Sequence, residues 1–105
     1  MEPELQDLRK HLDTIDTQIT ALFVERMKII EKIAREKETI GIPVLDIKRE
    51  HEVLSHVSSL AGKEFAADTR VLYSIILEMS RARQQEILLE HHDPLNLNAE
   101  KKKPS

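Results

Sequence analysis

Arg26 occupies a position where a helical apolar stripe calls for a hydrophobic residue. The stripe recurs at alternating steps of three and four residues, and after Arg26 it resumes at Ile29 and Ile33. Its members before Arg26 are Leu5, Leu8, Leu12, Ile15, Ile19 and Leu22. A guanidinium turned toward a helix interface is costly to bury unless an anion pairs with it. The pattern therefore predicts either a carboxylate of the protein or a bound anion beside Arg26.

Polar residues also interrupt the apolar stripes of two later helical segments. Glu50 lies within the stripe of the second segment, and Ser80 and Gln84 lie within that of the third. A single buried polar residue commonly fixes the register of packed helices, and an Arg26–Glu50 pair would by itself explain two of the interruptions. Four interruptions on three helices are more typical of the wall of a polar pocket.

Positive charge is concentrated around this predicted pocket. Lys37 follows Arg26 by 11 residues, close to three helical turns, so the two side chains leave one face about 16 Å apart. Asp46, Arg49 and Glu50 share a face of the next helix. The three cations outnumber the two carboxylates, although the whole chain has a net charge of -3. A locally positive pocket suits a ligand that bears carboxylates.

Breaks in the apolar periodicity predict three helices and a tail. The first helix runs from about Glu4 to Thr39 and ends before Gly41 and Pro43, which discourage continuation. The second begins after Asp46, a predicted N-cap, and ends near 61–63. The third begins around 67–69 and continues to about 90. We therefore predict one domain over residues 1–90 and a flexible tail or linker over 91–105.

The length of the first helix predicts a second copy of the chain. A helix of this length spans about 54 Å, whereas a compact globule of this size is about 33 Å across. One subunit cannot cover its own first helix, so two long helices are expected to pack together in a two-fold dimer. A plain coiled-coil dimerisation module would explain the periodicity equally well.

The composition excludes several classes of protein. The chain has no cysteine, which excludes disulfides, thiolate metal ligands and a cysteine nucleophile. The net charge of -3, with no basic stripe, argues against nucleic-acid binding. No signal peptide or membrane-spanning segment is evident, so a cytoplasmic location without membrane association is predicted. Glu52 and His56 supply only two possible ligands, and no metal site is predicted.

Several motifs resemble those of the all-helical chorismate mutases, over roughly Leu5 to Leu89. The spacings of 17 residues from Arg9 to Arg26 and of 11 from Arg26 to Lys37 fit the family. The motifs are Leu8-Arg9, Glu25-Arg26, Ala34-Arg35-Glu36-Lys37, Pro43 to Glu50, and Ser80 followed by Gln84-Gln85. The resemblance implies an all-α fold with three helices per chain, one very long, in an intertwined two-fold dimer that forms a six-helix bundle.

The reaction implied by this resemblance is the pericyclic [3,3] rearrangement of chorismate to prephenate in phenylalanine and tyrosine biosynthesis, part of the shikimate pathway. It needs neither a metal nor a cofactor. Matching the family's motifs residue by residue implies that Arg26 and Arg9 of the partner subunit bind the two substrate carboxylates, helped by Arg49 and Ser80. Lys37 and Gln84 then donate to the ether oxygen. Glu50 accepts the ring hydroxyl, and Asp46 contributes its backbone.

Helix geometry agrees with the origin of Arg9 that the resemblance implies. Arg9 and Arg26 lie about 25 Å apart along one helix, too far to share one small ligand, but an antiparallel partner could bring them together. Judged by its sequence alone, Arg9 would be a solvated residue at a helix edge. Two alternative functions stay open, an isochorismate pyruvate-lyase of the same fold and a non-catalytic dimerisation or regulatory domain. The tail is either a free terminus or a linker to another aromatic-pathway enzyme.

Overall fold

Three α-helices make up the part of the chain that the structure, a computed structural model, describes, residues 2–92. They are α1 (Glu2–Ile40), α2 (Ile47–Ala61) and α3 (Ala66–His92). The predicted all-α fold with three helices, one very long, is therefore confirmed. Helix α3 includes the first two residues of the predicted tail, and residues 93–105 lie outside the described range. None of the helices within residues 2–92 combines the length and the apolar character needed to cross a membrane.

The turn between α1 and α2 follows from two local signals in the sequence. Gly41 has a φ of 80°, a left-handed conformation that glycine adopts without steric penalty. The N–H groups of Gly41 and Ile42 donate to the Lys37 carbonyl at 2.8 and 3.0 Å, and so close the last turn of α1. Asp46 then caps α2, because its Oδ1 accepts from the Arg49 N–H at 3.0 Å. The predicted N-cap is thus confirmed.

The buried core lies around α3, which packs against both α1 and α2. Its buried residues recur at steps of three and four, and two of them, Ser80 and Gln84, are polar. The buried residues of all three helices are Ile30, Ala34, Val57, Leu77, Ser80, Gln84 and Ile87. The core therefore covers only the C-terminal half of α1.

The N-terminal half of α1 has no cover within one chain. Its apolar stripe is solvent-exposed, with Leu12 56% and Leu22 64% accessible. The described residues measure 60 × 35 × 16 Å, with a radius of gyration of 18.5 Å, against about 12 Å for a compact domain of this size. An apolar stripe of this length exposed on a slender molecule is typical of an interaction surface.

Candidate active site

A cavity of about 160 Å³ lies where α1, α2 and α3 meet. It contains every residue predicted for the pocket except Arg9. The polar residues of its lining are Arg26, Lys37, Asp46, Arg49, Glu50, Ser80, Arg81 and Gln84, and the apolar ones are Ile30, Ile33, Val44, Val53 and Leu77. The interruptions in the three apolar stripes thus face one another across a single small space.

Arg26 reaches this cavity from α1 and has uncharged partners among the described residues. Its Nη1 donates to the Ser80 hydroxyl at 2.9 Å, and that hydroxyl donates in turn to the Ile76 carbonyl at 2.7 Å. Its guanidinium lies over the Tyr73 ring, 5.9 Å from the centroid, a favourable cation–π arrangement. These contacts orient the guanidinium but leave its charge without a paired carboxylate.

Glu50, the internal carboxylate that Arg26 might have used, pairs with Arg81 instead. Arg81 Nη1 donates to Glu50 Oε1 at 2.5 Å, and this contact joins α3 to α2. The Arg26–Glu50 pair considered from the sequence is therefore not formed. Arg81 was missed by sequence reasoning, because it lies beside Ser80 but off the stripe that carries Ser80 and Gln84.

Lys37 lies in the last turn of α1, where a cation interacts favourably with the helix dipole. Its Nζ donates to the Val44 carbonyl at 2.6 Å, across the turn that leads to α2. An ammonium group carries three N–H donors. One is used by the turn, so the side chain is held in place and still has donors for a ligand.

Gln84 and Ser80 are the most buried polar side chains of the described residues, at 4% and 2% exposed. Oε1 of Gln84 is buried and has no hydrogen-bond partner within these residues. Buried polar groups are nearly always hydrogen-bonded, so this oxygen has capacity for a partner from outside the chain. An amide that lines a cavity in this way is suited to contact a polar ligand.

Asp46 and Arg49 lie at the exposed rim of the cavity. The Asp46 carboxylate caps α2 by accepting from the backbone N–H of Arg49. This hydrogen bond does not use the Arg49 guanidinium, which supplies a positive charge at the rim. Taken together, four cations and two carboxylates line the cavity, an excess of two positive charges. The arrangement is suited to a small dianion held by several charge-assisted hydrogen bonds.

Arg9 is exposed on the N-terminal half of α1 and does not line the cavity. Along the helix it lies about 25 Å from Arg26, which places it outside the site of its own chain. Tyr73 was also missed as a contact of Arg26. Its position seven residues before Ser80, on the same stripe, is the signal that could have identified it.

A second arginine network on α3 lies outside the cavity. Arg83 donates through Nε to Glu31 on α1 at 2.9 Å and through Nη1 to Glu86 at 3.0 Å, and its Nη2 forms an ion pair with the same Glu31 oxygen at 2.8 Å. The hydrogen bonds to Glu31 and Glu86 raise the pKa of Arg83 above its ordinary value. This arginine bridges α3 and α1 and takes no part in the cavity lining.

Comparisons with known proteins find a matching family model and several relatives. The family model described as chorismate mutase type II matches residues 8–85. The chain is 31% identical to a chorismate mutase of Methanocaldococcus jannaschii, over 86% of this chain and 93% of that protein. It is also 31% identical to the bifunctional chorismate mutase/prephenate dehydratase of Escherichia coli, over 90% of this chain but only 25% of that protein. No solved structure matches the chain significantly.

Proposed function

The chain belongs to the type II chorismate mutase family, and we propose that the cavity where its three helices meet is the active site. The enzyme is an isomerase, a chorismate mutase of aromatic amino acid biosynthesis. The observation that carries the proposed site is the environment of Arg26. Its contacts are uncharged, and the cavity around it has an excess of positive charge that a dicarboxylate would balance.

The reaction breaks a carbon–oxygen bond and forms a carbon–carbon bond within one molecule, so it requires no covalent bond to the protein. The enzyme must hold the reactive chair-like conformer and stabilise negative charge on the breaking ether oxygen. Cations and N–H donors at fixed positions accomplish both. The cavity lining supplies such cations and N–H donors.

Arg26 is proposed to bind one substrate carboxylate, with Arg49 assisting from the rim. Ser80 contributes by accepting the Nη1–H of Arg26, which fixes the direction of the remaining N–H groups. The Tyr73 ring beneath the guanidinium restricts it further. Because these partners are uncharged, the guanidinium keeps its full charge for the ligand.

Lys37 and Gln84 are proposed to donate to the ether oxygen. The Lys37 ammonium is anchored on the Val44 carbonyl and keeps further donors. The Gln84 amide is buried almost completely, and a donor in a water-poor site stabilises developing charge more strongly than one in water. Both donors are in place before the charge develops, which is the basis of electrostatic preorganisation.

Glu50 and Asp46 are proposed to complete the binding of the ring. Glu50 is half-buried on α2 and would accept the hydrogen bond of the ring hydroxyl. Asp46 would contribute through its backbone at the start of α2, while its side chain serves as the helix cap.

We further propose an intertwined homodimer, a six-helix bundle in which Arg9 of the partner subunit completes each site. The exposed apolar stripe of α1 supports this, since one chain leaves it uncovered. The separation of about 25 Å between Arg9 and Arg26 supports it too. In an antiparallel pair of α1 helices, Arg9 of one chain could lie beside Arg26 of the other.

Mixing two inactive variants tests the shared site directly. Arg9→Met and Arg26→Met chains should each be nearly inactive at chorismate concentrations below the wild-type KM. A heterodimer of the two would have one site with both arginines and one site with neither, so random mixing should restore about a quarter of wild-type activity. No recovery after confirmed subunit exchange would contradict the assignment of Arg9 to the partner.

Residues 1–90 are proposed as the mutase domain, since the family model covers most of that range. Residues 91–105 stay a predicted tail or linker. The chain spans a quarter or less of the length of the bifunctional relatives it matches. A cytoplasmic location is proposed from the biosynthetic role of the family.

The loss of chorismate absorbance with purified protein tests the function, and product identification distinguishes prephenate from pyruvate formed from isochorismate. Lys37→Ala should lower kcat by about 10²- to 10³-fold, the usual effect of removing a donor to developing negative charge. Lys32→Ala is the matched control, an exposed lysine of the same helix outside the cavity. Full activity of Lys37→Ala would show that Lys37 is not the donor.

A further inference from the structure

Arg81 is a charged residue of the cavity lining to which the proposed mechanism gives no task. It is the fourth cation of the cavity, and it lies beside Ser80 on α3. Its Nη1 donates to Glu50 Oε1 at 2.5 Å, and the two side chains are 33% and 23% exposed. Ion pairs with this degree of exposure contribute little to stability, so fastening α3 to α2 is a weak explanation for the pair.

The contact engages one oxygen of Glu50, the carboxylate proposed to accept the ring hydroxyl of the substrate. A carboxylate has two oxygens and accepts several hydrogen bonds. With Oε1 held by Arg81, the orientation of the Glu50 side chain is restricted, and Oε2 keeps its full capacity to accept hydrogen bonds. A half-buried glutamate without such a partner would sample several rotamers and lose that freedom only on binding.

Arg81 also changes the charge that the substrate meets. Glu50 is an anion in the wall of a site for a dianion, and an unpaired carboxylate there would repel the ligand. The guanidinium of Arg81 offsets that charge and takes one acceptor oxygen, while the other keeps its hydrogen-bonding capacity. Arg26, by contrast, has neutral partners and keeps its charge for the ligand.

We propose that Arg81 is a positioning residue of the active site, which holds Glu50 so that one carboxylate oxygen accepts the ring hydroxyl of chorismate. The proposal rests on the proposed function of this cavity. It assigns Arg81 no contact with the reacting atoms. Its effect on the reaction passes through Glu50.

The first test compares two arginines of the same helix. Arg81→Met should raise KM for chorismate about tenfold with kcat changed less than about twofold, because the hydroxyl contact is made equally in the ground state and the transition state. Arg83→Met is the matched control, since Arg83 is equally exposed and ion-paired but lies outside the cavity. It should leave both constants unchanged.

Two further measurements separate positioning from a structural role. For a chorismate analogue with hydrogen in place of the ring hydroxyl, Arg81→Met should raise KM less than it does for chorismate, because only the loss of the Arg81 charge then acts on the ligand. In a Glu50→Gln background, Arg81→Met should change KM by less than about twofold, because the residue through which it acts is already altered. Arg81→Lys, which retains the charge and one donor, should recover part of the lost affinity.

Each outcome decides the proposal. An unchanged KM in Arg81→Met, an equal rise for the analogue, or full additivity with Glu50→Gln would overturn it. If Arg81→Met lost its helical circular-dichroism signal, Arg81→Lys and the analogue would provide the same comparison in a folded protein. Failure of the proposed function is distinguishable, since the wild-type protein would then not consume chorismate at all.

Discussion

Replacing Gln84 by glutamate tests the proposed ether-oxygen donor with almost no change in shape. The Gln84 side chain is 4% exposed and lines the cavity. An amide donates hydrogen bonds at any ordinary pH, whereas a carboxyl group donates only when it is protonated. We therefore expect wild-type turnover to be nearly constant across neutral pH. Turnover of Gln84→Glu should fall as the pH rises through neutrality.

The size of the effect follows from burial and protonation. Burial raises the pKa of a carboxyl group at this position, because ionisation loses hydration, and the Lys37 and Arg26 cations oppose that rise. Above its pKa each pH unit removes about nine-tenths of the protonated form, so log kcat should fall with a slope of about -1. The fall should level off about 10²- to 10³-fold lower, as expected for the loss of one stabilising donor.

The assay is kcat against pH, at temperatures where circular dichroism shows the variant to be folded. That control matters because a carboxyl whose pKa is raised in the folded state stabilises the protein least at high pH. Gln85→Glu is the matched control, an exposed neighbour on the same helix that lies outside the cavity. Superimposable pH profiles for Gln84→Glu and wild type would refute the assignment of Gln84 as donor.

Three further changes probe the interface, the carboxylate site and the turn. Ile19→Asp, on the exposed stripe of α1, should give monomers in sedimentation and remove most activity, whereas Thr20→Asp, off the stripe, should do neither. Arg26→Met should raise KM for chorismate about 100-fold without lowering the melting temperature, since it removes an unpaired charge; a lower melting temperature would indicate a structural role. Gly41→Ala should lower the free energy of unfolding by about 1 kcal/mol in urea titration, because φ is 80° there; no change would contradict this.

The helices were predictable because their limits depend on local chemistry. Gly41 and Pro43 end α1 whatever the remainder of the chain does, and Asp46 caps α2 with its own side chain. The residues facing the cavity were predictable for a related reason. A polar residue in an apolar stripe must face inward, so Arg26, Glu50, Ser80 and Gln84 were identified before their neighbours were known.

The pairing of those residues was not predictable, because it depends on how one helix is rotated against another. Arg81 lies outside the stripe of α3 that carries Ser80 and Gln84. The packing of α2 nevertheless places Glu50 against Arg81, so that Arg26 donates to Ser80 instead. The anchoring of Lys37 on the Val44 carbonyl depends on the path of a turn that has no periodicity. The dimer and the role of Arg9 stay predictions, since they concern contacts between chains.

Lys37 lies in the last turn of α1, so its proposed role as a donor would make catalysis depend on the local opening of a helix end. Helix ends fray with free energies far below that of global unfolding, and this end is closed by the hydrogen bonds of Gly41 and Ile42 to the Lys37 carbonyl. We expect the ammonium to leave the cavity when these bonds break, while Arg26, three turns earlier, stays in place. We expect heating to abolish turnover several degrees below the temperature at which the helical circular-dichroism signal is lost. A substitution that stabilises the turn at Gly41 should raise the temperature at which turnover is lost.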